Sequence, residues 1–365
     1  MELTKCKLGE LITQRREKND GSDLPICGVS KDGLIPPKQK DADTSIYNVF
    51  YRDDFIFNPA RMELNSIAIN DMYDRAICSS LYEVFYVHRT DLLLPHYLEL
   101  IIRQKWFTRY CEFLGQGSAR EYCRFGNISE IEIEFPPIKE QQKIVDYNTA
   151  IENRIALKQK INDNLLDSVQ AIFRSWFVDY DPFDGVCPSN WETGCVEDIA
   201  EFFDSMRKPL SSLERTDMER IYPYYGAVSI VDYVDDYIFD GEYLLVSEDG
   251  IYVVDENGHP LIQHISGKFW ANNHAHILKG KSGFNEDSLY LFLANTNMAP
   301  IVTGAAQPKI NQANLKSFPI TIPDSETMLK FNNIIQPFFD QRLTNESEIK
   351  KLEALQSLLL TRLVD

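Results

Sequence analysis

The sequence predicts a mixed α/β (α+β) chain built as an internal repeat: two small globular domains, each followed by a long helix, with the two long helices as partners. Three observations carry this expectation. Residues 138–180 contain neither Gly nor Pro, and they place Ile144, Ile151, Ile155, Leu165, Val169, Ile172 and Trp176 at helical spacing. That pattern is one helix about 64 Å long, with a stripe too narrow for one small core and suited to a partner helix. A second stripe, Phe331, Ile335, Phe338, Ile349, Leu352, Leu359 and Leu363, supplies that partner within 325–364. Finally, the two halves align at a constant offset of 187: Asn127-Ile128 with Asn314-Leu315, Phe135-Pro136 with Ile322-Pro323, Leu165 with Leu352 and Ile172 with Leu359. Upstream, Leu8-Gly9-Glu10-Leu11 matches Val196-Glu197-Asp198-Ile199 at 188. A tandem duplication decides the architecture.

The elements follow in order. The first globular domain, 1–137, alternates short strand-like runs (47–51, 54–57, 66–69 and 81–87) with turn residues, and then carries a helix over 95–113. The first long helix and its end occupy 138–181; Asn148, Lys158 and Asn162 interrupt its apolar seam. The second domain, 182–323, opens with the linker Asp181-Pro-Phe-Asp-Gly-Val-Cys-Pro188 and a short helix over 191–203. Strands at 243–246 and 250–254 and a helix at 288–296 complete it. The last segment, 324–365, is the second long helix, in which Pro337 is expected to kink or restart the helix.

At 365 residues the chain is long enough for two cores. It contains no run near the roughly 18 apolar residues of a membrane span, and its first residues, MELTKCKLGELITQRREK, hold no signal-peptide core. Seven cysteines without a CxxC pair read as the reduced thiols of a cytoplasmic protein and not as a disulfide framework. The net charge of −18 argues, at face value, against nucleic acid. Its distribution softens that argument: 1–137 holds 17 basic against 21 acidic residues, whereas 185–323 holds 9 against 19.

Several chemistries are missing from the sequence. There is no GxxxxGK[ST] loop for a triphosphate and no Gly-rich turn for a dinucleotide or methyl donor. Asn58-Pro59-Ala60-Arg61 falls short of an amino-methyltransferase signature and reads as a turn beside a strand. Pro323-Asp324 with Glu348-Ile349-Lys350 has the letters of a metal-dependent nuclease, but Ile349 lies on the helical seam. Asp324 then reads as a helix N-cap, and both acids as solvated. His259, His264, His274 and His276 lack a nearby Cys. His274 and His276 would share one face of a strand as hydrogen-bonded imidazoles, with no metal and no catalytic residue expected.

The residues in both halves resemble the specificity (S) subunit of a type I restriction–modification system. In the first half the resemblance lies in Gly115-Gln-Gly-Ser-Ala-Arg120, Asn127-Ile-Ser129, Pro136-Pro137, Glu140-Gln-Gln-Lys-Ile144 and Ser175-Trp-Phe-Val-Asp-Tyr-Asp-Pro182. In the second it lies in Tyr222-Pro-Tyr-Tyr-Gly-Ala227, Asp236-Tyr-Ile-Phe-Asp-Gly-Glu-Tyr243, Glu248-Asp-Gly250, Gly267-Lys-Phe-Trp-Ala-Asn-Asn-His-Ala-His276 and 304–318. The second helix departs from the pattern, with Ser325-Glu-Thr-Met-Leu-Lys330 in place of the Glu-Gln-Gln-Lys run.

The resemblance implies a non-catalytic, DNA-binding subunit whose two target-recognition domains are separated by an antiparallel coiled coil of the two long helices and related by an internal pseudo-two-fold axis. Each target-recognition domain reads one half of a bipartite double-stranded DNA site, and the helices act as a ruler for the spacer. It implies docking of two methyltransferase subunits and, through them, of restriction subunits. S-adenosylmethionine, ATP and Mg²⁺ then belong to those partners, with no cofactor in this chain. The candidate DNA contacts are polar loop residues: Gln116, Ser118, Arg120 and Arg124 in the first half, with Lys31, Lys38 and Arg61. In the second half they are Gln307, Lys309 and Asn311, with Tyr224, Tyr225, Ser229, Lys268, Asn272 and Asn273. The competing expectation for each is a turn residue satisfying its own backbone or, for the tyrosines, core packing. The competing function is a coiled-coil scaffold that binds protein and not DNA, to which the acidic charge poses no difficulty.

Overall fold

The computed structural model describes residues 3–31, 33–37, 43–115, 123–250, 253–304 and 307–361. The chain forms two compact units, Met1–Lys158 with Ser347–Asp365, and Gln159–Glu346. Each unit therefore takes one globular body together with part of both long helices.

In the first unit, Ile12–Arg15, Glu83–Val87, Phe55–Phe57 and Ile67–Ile69 make a four-stranded antiparallel sheet in that order. A second sheet orders Gly33–Ile35, Ile26–Ser30, Arg75–Cys78 and Asn48–Tyr51, its middle pair parallel. Strands are short because Asn, Asp and Gly punctuate them; Asp53, for example, takes a left-handed φ of 66° between two strands. Phe55, Phe57, Phe85, Tyr97, Leu98 and Phe107 fill the main core. The single helix expected over 95–113 is two, Pro95–Ile102 and Lys105–Gly115. The first ends at Arg103, whose N–H reaches back to Glu99 O while Gln104 N bonds to Ile101 O.

In the second unit a six-stranded sheet runs Ala200–Phe202, Ala275–Gly280, Phe239–Ser247, Ile262–Ala271, Tyr222–Tyr225 and Ile230–Val234. The helix Glu286–Ala294 packs beside it, capped by Asn285. The helix expected over 191–203 is absent. That stretch is a strand, Glu192–Cys195, a single turn, Val196–Ile199, and another strand, Ala200–Phe202. Pairing with Pro319–Ile322 and Ala275–Gly280 overrides its local helical pattern. Of the strand expected over 250–254, the described residues contribute only the isolated bridge Val254–Pro260.

The duplication is visible residue by residue. Thr4–Lys7 pairs with Glu132–Phe135, and Glu192–Cys195 pairs with Pro319–Ile322 in the equivalent register, Thr4 opposite Phe135 and Glu192 opposite Ile322. Leu8 N donates to Ile131 O in one half, and Val196 N donates to Phe318 O in the other.

The long helices are Ile138–Phe177 and Ser325–Thr361. The first stops three residues before Tyr180, which adopts a left-handed φ of 57° ahead of the turn Asp181–Phe183. Pro337 sits within the second without ending it. The helices are antiparallel in both units. In the first, Gln356 bonds to Asn148 and Glu152, while Arg154 and Lys158 pair with Glu348. In the second, Asn345 meets Asn162, and Phe331 meets Phe173, Trp176 and Phe177. Asp324 caps the second helix, as expected, accepting from Glu326 N and Thr327 N. Glu348, expected in solvent, is instead held by Arg154 and Lys158, which keep its carboxyl below the ordinary glutamate range.

Candidate nucleic-acid interface

In the second unit three polar loops are sewn into one surface by their backbones. Glu248 N donates to His274 O, Ile310 N to Glu248 O, and Gly250 N to Pro308 O. Thr303 and Lys309 exchange backbone hydrogen bonds. Residues far apart in sequence, Glu248-Asp249, Asn272-Asn273-His274 and Gln307-Pro308-Lys309, therefore lie side by side.

Charge organises this surface from beneath. Glu248 receives Arg207 Nη1 at 2.6 Å and Lys309 Nζ at 2.8 Å. Burial pushes the Glu248 carboxyl up, but the two cations outweigh burial and hold it below its usual range. Lys309 is raised by its bond to Glu248, so it stays charged with about half of its side chain exposed. Below lies His276, fully buried, with Nδ1 2.6 Å from Asp204 Oδ2 and Nε2 2.8 Å from Ile310 O. Asp204 is likewise lifted by burial but drawn lower by His276, Ile277 N and Arg207. Asp204, Glu248 and His276 are close enough to surround a metal ion, their ligand atoms all within 4.8 Å of one another. Arg207 and Lys309 already occupy those carboxylates, so the group is a charge-compensated network and suits a metal poorly. His274 and His276 do not share a strand face: the strand begins at Ala275, leaving His274 in the loop, half exposed, with Nδ1 2.7 Å from Asp249 Oδ1.

The residues singled out from sequence fall into distinct groups. Lys309 and Asn273 stand on the loop surface, and Gln307 is exposed beside them. Asn272 is buried and uses Oδ1 to accept His274 N, shaping the loop. Asn311 caps the helix Gln312–Lys316. Ser229 is exposed in the turn between Tyr222–Tyr225 and Ile230–Val234. Lys268 is exposed, with Nζ 4.3 Å from the Tyr237 ring centre. Tyr224 offers no surface: it is 2 % exposed, and its hydroxyl donates to Leu210 O and accepts from Leu210 N. Tyr225 packs edge-on against Phe269 in the core. Sequence reasoning did not single out Arg207, and it quoted Asp249 and His274 within motifs and not among the candidate contacts. Glu248-Asp-Gly250 was visible as a motif, but nothing in the sequence shows that it meets Lys309.

In the first unit, Lys31 is exposed at the tip joining Ile26–Ser30 to Gly33–Ile35, and Arg61 is exposed in the turn Pro59–Leu64. Pro59 O accepts Cys123 N, which brings Arg124 alongside, paired with Glu83 at 3.1 Å. Beside Arg61, burial and then Cys78 raise the Tyr82 hydroxyl, while the Arg61 charge and a hydrogen bond donated by the Val29 backbone N–H oppose the rise. Lys38, Gln116, Ser118 and Arg120 lie outside the described residues. Among the described residues no helix is long and apolar enough to cross a membrane.

The type I restriction modification DNA specificity domain matches this chain twice, over 6–167 and 188–355. The MjaIX type I restriction enzyme specificity subunit of Methanocaldococcus jannaschii is 23% identical over 75% of this chain and 69% of its own length. A Haemophilus influenzae protein named as a type I restriction enzyme specificity subunit is 39% identical over 128 residues, 35% of this chain. The match spans only 32% of that relative's length. The crystal structure of a type I restriction–modification S subunit from M. genitalium shares the fold, with a TM-score of 0.62 at 14% identity over 99% of this chain and 96% of that one. With both halves matched by one specificity domain, the chain belongs to the type I restriction–modification specificity subunits, the non-catalytic subunits of those systems.

Proposed function

We propose that this subunit reads a bipartite DNA target, one half-site for each globular domain (1–137 and 182–323), with 138–181 and 324–365 as the helical spacer. The carrying observation is convergence: Asn273, Gln307 and Lys309, chosen as separate loop residues, meet on one surface joined by backbone hydrogen bonds. In the first unit the candidates are Lys31, Arg61 and Arg124, the last two on segments joined by the hydrogen bond from Cys123 N to Pro59 O. Phosphate contacts from Lys and Arg would fix register, and Asn and Gln would address base edges.

The chain docks two methyltransferase subunits and through them restriction subunits, in the cytoplasm. Those partners bind S-adenosylmethionine, ATP and Mg²⁺ and supply much of the phosphate neutralisation that DNA affinity requires, offsetting the −18 of this chain. Co-purification with the cognate methyltransferase subunit tests this reading. A complex of one specificity chain to two methyltransferase subunits that selects particular duplexes from a random-sequence pool is expected. Assembly without selection would favour the protein-only scaffold.

A further inference from the structure

We infer that His274, oriented by Asp249, is a DNA-contact residue of the second domain. The inference rests on the proposed DNA-reading role and adds to it a residue that the polar-loop argument left out.

His274 is fixed at three points. Its backbone N–H donates to Asn272 Oδ1 at 2.8 Å, and its carbonyl accepts from Glu248 N at 2.9 Å. On the side chain, Nδ1 lies 2.7 Å from Asp249 Oδ1. A carboxylate accepts and cannot donate, so the proton of this bond sits on Nδ1. Nε2 is then the presented atom, and among the described residues it has no partner. Asp249 is itself only 17% exposed at its side chain, while the imidazole is 48% exposed. The carboxylate thus sits behind the ring and the ring faces out, the layout of a second residue orienting a ligand-facing histidine.

The neighbours fit nucleic acid better than solvent alone. Lys309 bridges to Asp249, Asn273 precedes His274 in its loop, Gln307 is exposed two residues before Lys309, and Arg207 holds the Asn273 and Ala275 carbonyls on the inner side. Nε2 can meet a DNA polar atom of either source, a phosphate oxygen or a base edge. Asp249 acts as the positioning residue and touches no DNA itself.

The test uses the full chain in complex with its methyltransferase subunits and two duplexes of equal length, one carrying the mapped methylation site and one of random sequence. His274→Ala is expected to weaken binding on the order of ten- to a hundredfold. His274→Gln, whose amide reaches toward the position of Nε2, should recover part of that loss. Asp249→Asn should weaken binding less, and the double variant should be no weaker than His274→Ala, because Asp249 acts through the ring. Weakening on both duplexes identifies a phosphate contact; weakening confined to the mapped site identifies a base edge. Binding by His274→Ala within twofold of wild type on both duplexes overturns the inference while leaving DNA reading intact. A wild-type complex that prefers neither duplex overturns the DNA-reading role, and this inference falls with it.

Discussion

Asn345 donates its side-chain N–H to Asn162 Oδ1 at 2.8 Å across the two long helices, and both side chains are buried. Asn148 and Lys158, the other polar breaks in the first helix, are matched in the same way by Gln356 and Glu348. A buried amide pair satisfies itself in one register and is left unsatisfied when either helix slides by a turn.

Asn345→Ala strands the buried Asn162 amide and is expected to cost about 1–3 kcal/mol. Replacing both residues by Leu should recover most of that loss, because no polar atom is left unpaired. Urea denaturation of the single and double variants measures both. A double variant as unstable as Asn345→Ala would show that packing, and not pairing, governs this position.

The paired positions also show where sequence reading stops. The long helices, the duplication and the strand-rich domains were legible because period, composition and offset are local or self-referential signals. Asn148, Lys158 and Asn162 looked like flaws in a stripe, since their partners lie some 180 to 210 residues away and are chosen by antiparallel register. The stretch 191–203 failed for the same reason: its helical pattern yields to strand pairing with Pro319–Ile322, which no local window contains. At the candidate interface, Lys309 was legible as a cation in a loop. For Tyr224, core packing stood beside DNA contact as an open alternative, because the Leu210 backbone that meets its hydroxyl and decides between them is set by tertiary structure.

Phe331 should be the costliest truncation on the second long helix. Its ring is fully buried against Phe173, Trp176 and Phe177, with centroids 4.7 to 6.4 Å away. Phe331→Ala is expected to lose about 3–5 kcal/mol. Leu355→Ala, on the same helix but 51% exposed, should change stability little. Denaturant midpoints of the two variants check the contrast.

Asp287 makes stability depend on pH. It is buried at the start of the helix Glu286–Ala294, and burial, followed by Glu242, Asp340 and Glu286, pushes its carboxyl up to about 7. The folded state therefore holds a proton that the unfolded chain has released above about pH 4, and its stability falls as pH rises from there through 7. His264 alongside is lowered to about 4 by burial and then by Arg342, which opposes that slope between about pH 4 and 6.5. Asp287→Asn should match wild type below pH 4 and exceed it by on the order of 3 kcal/mol above pH 7. Unfolding curves at pH 4, 6 and 8 measure the growing difference; a constant difference would contradict the assignment.

Glu248→Gln should destabilise the second unit by about 3 kcal/mol, since it leaves Arg207 and Lys309 facing a neutral amide in a largely buried setting. A chelator should leave the Tm of the wild-type chain unchanged, because those cations fill the places a metal would take. A drop in Tm on chelation would reverse that conclusion.

The most direct measurement is a genome-wide map of methylated adenines written by the chain with its methyltransferase subunit, repeated with Lys309→Ala. A split motif of two unlike half-sites, with Lys309→Ala weakening or relaxing one half and sparing the other, is the predicted result. A single continuous motif, or a split motif untouched by Lys309→Ala and His274→Ala alike, would contradict the assignment of the second half-site to these loops.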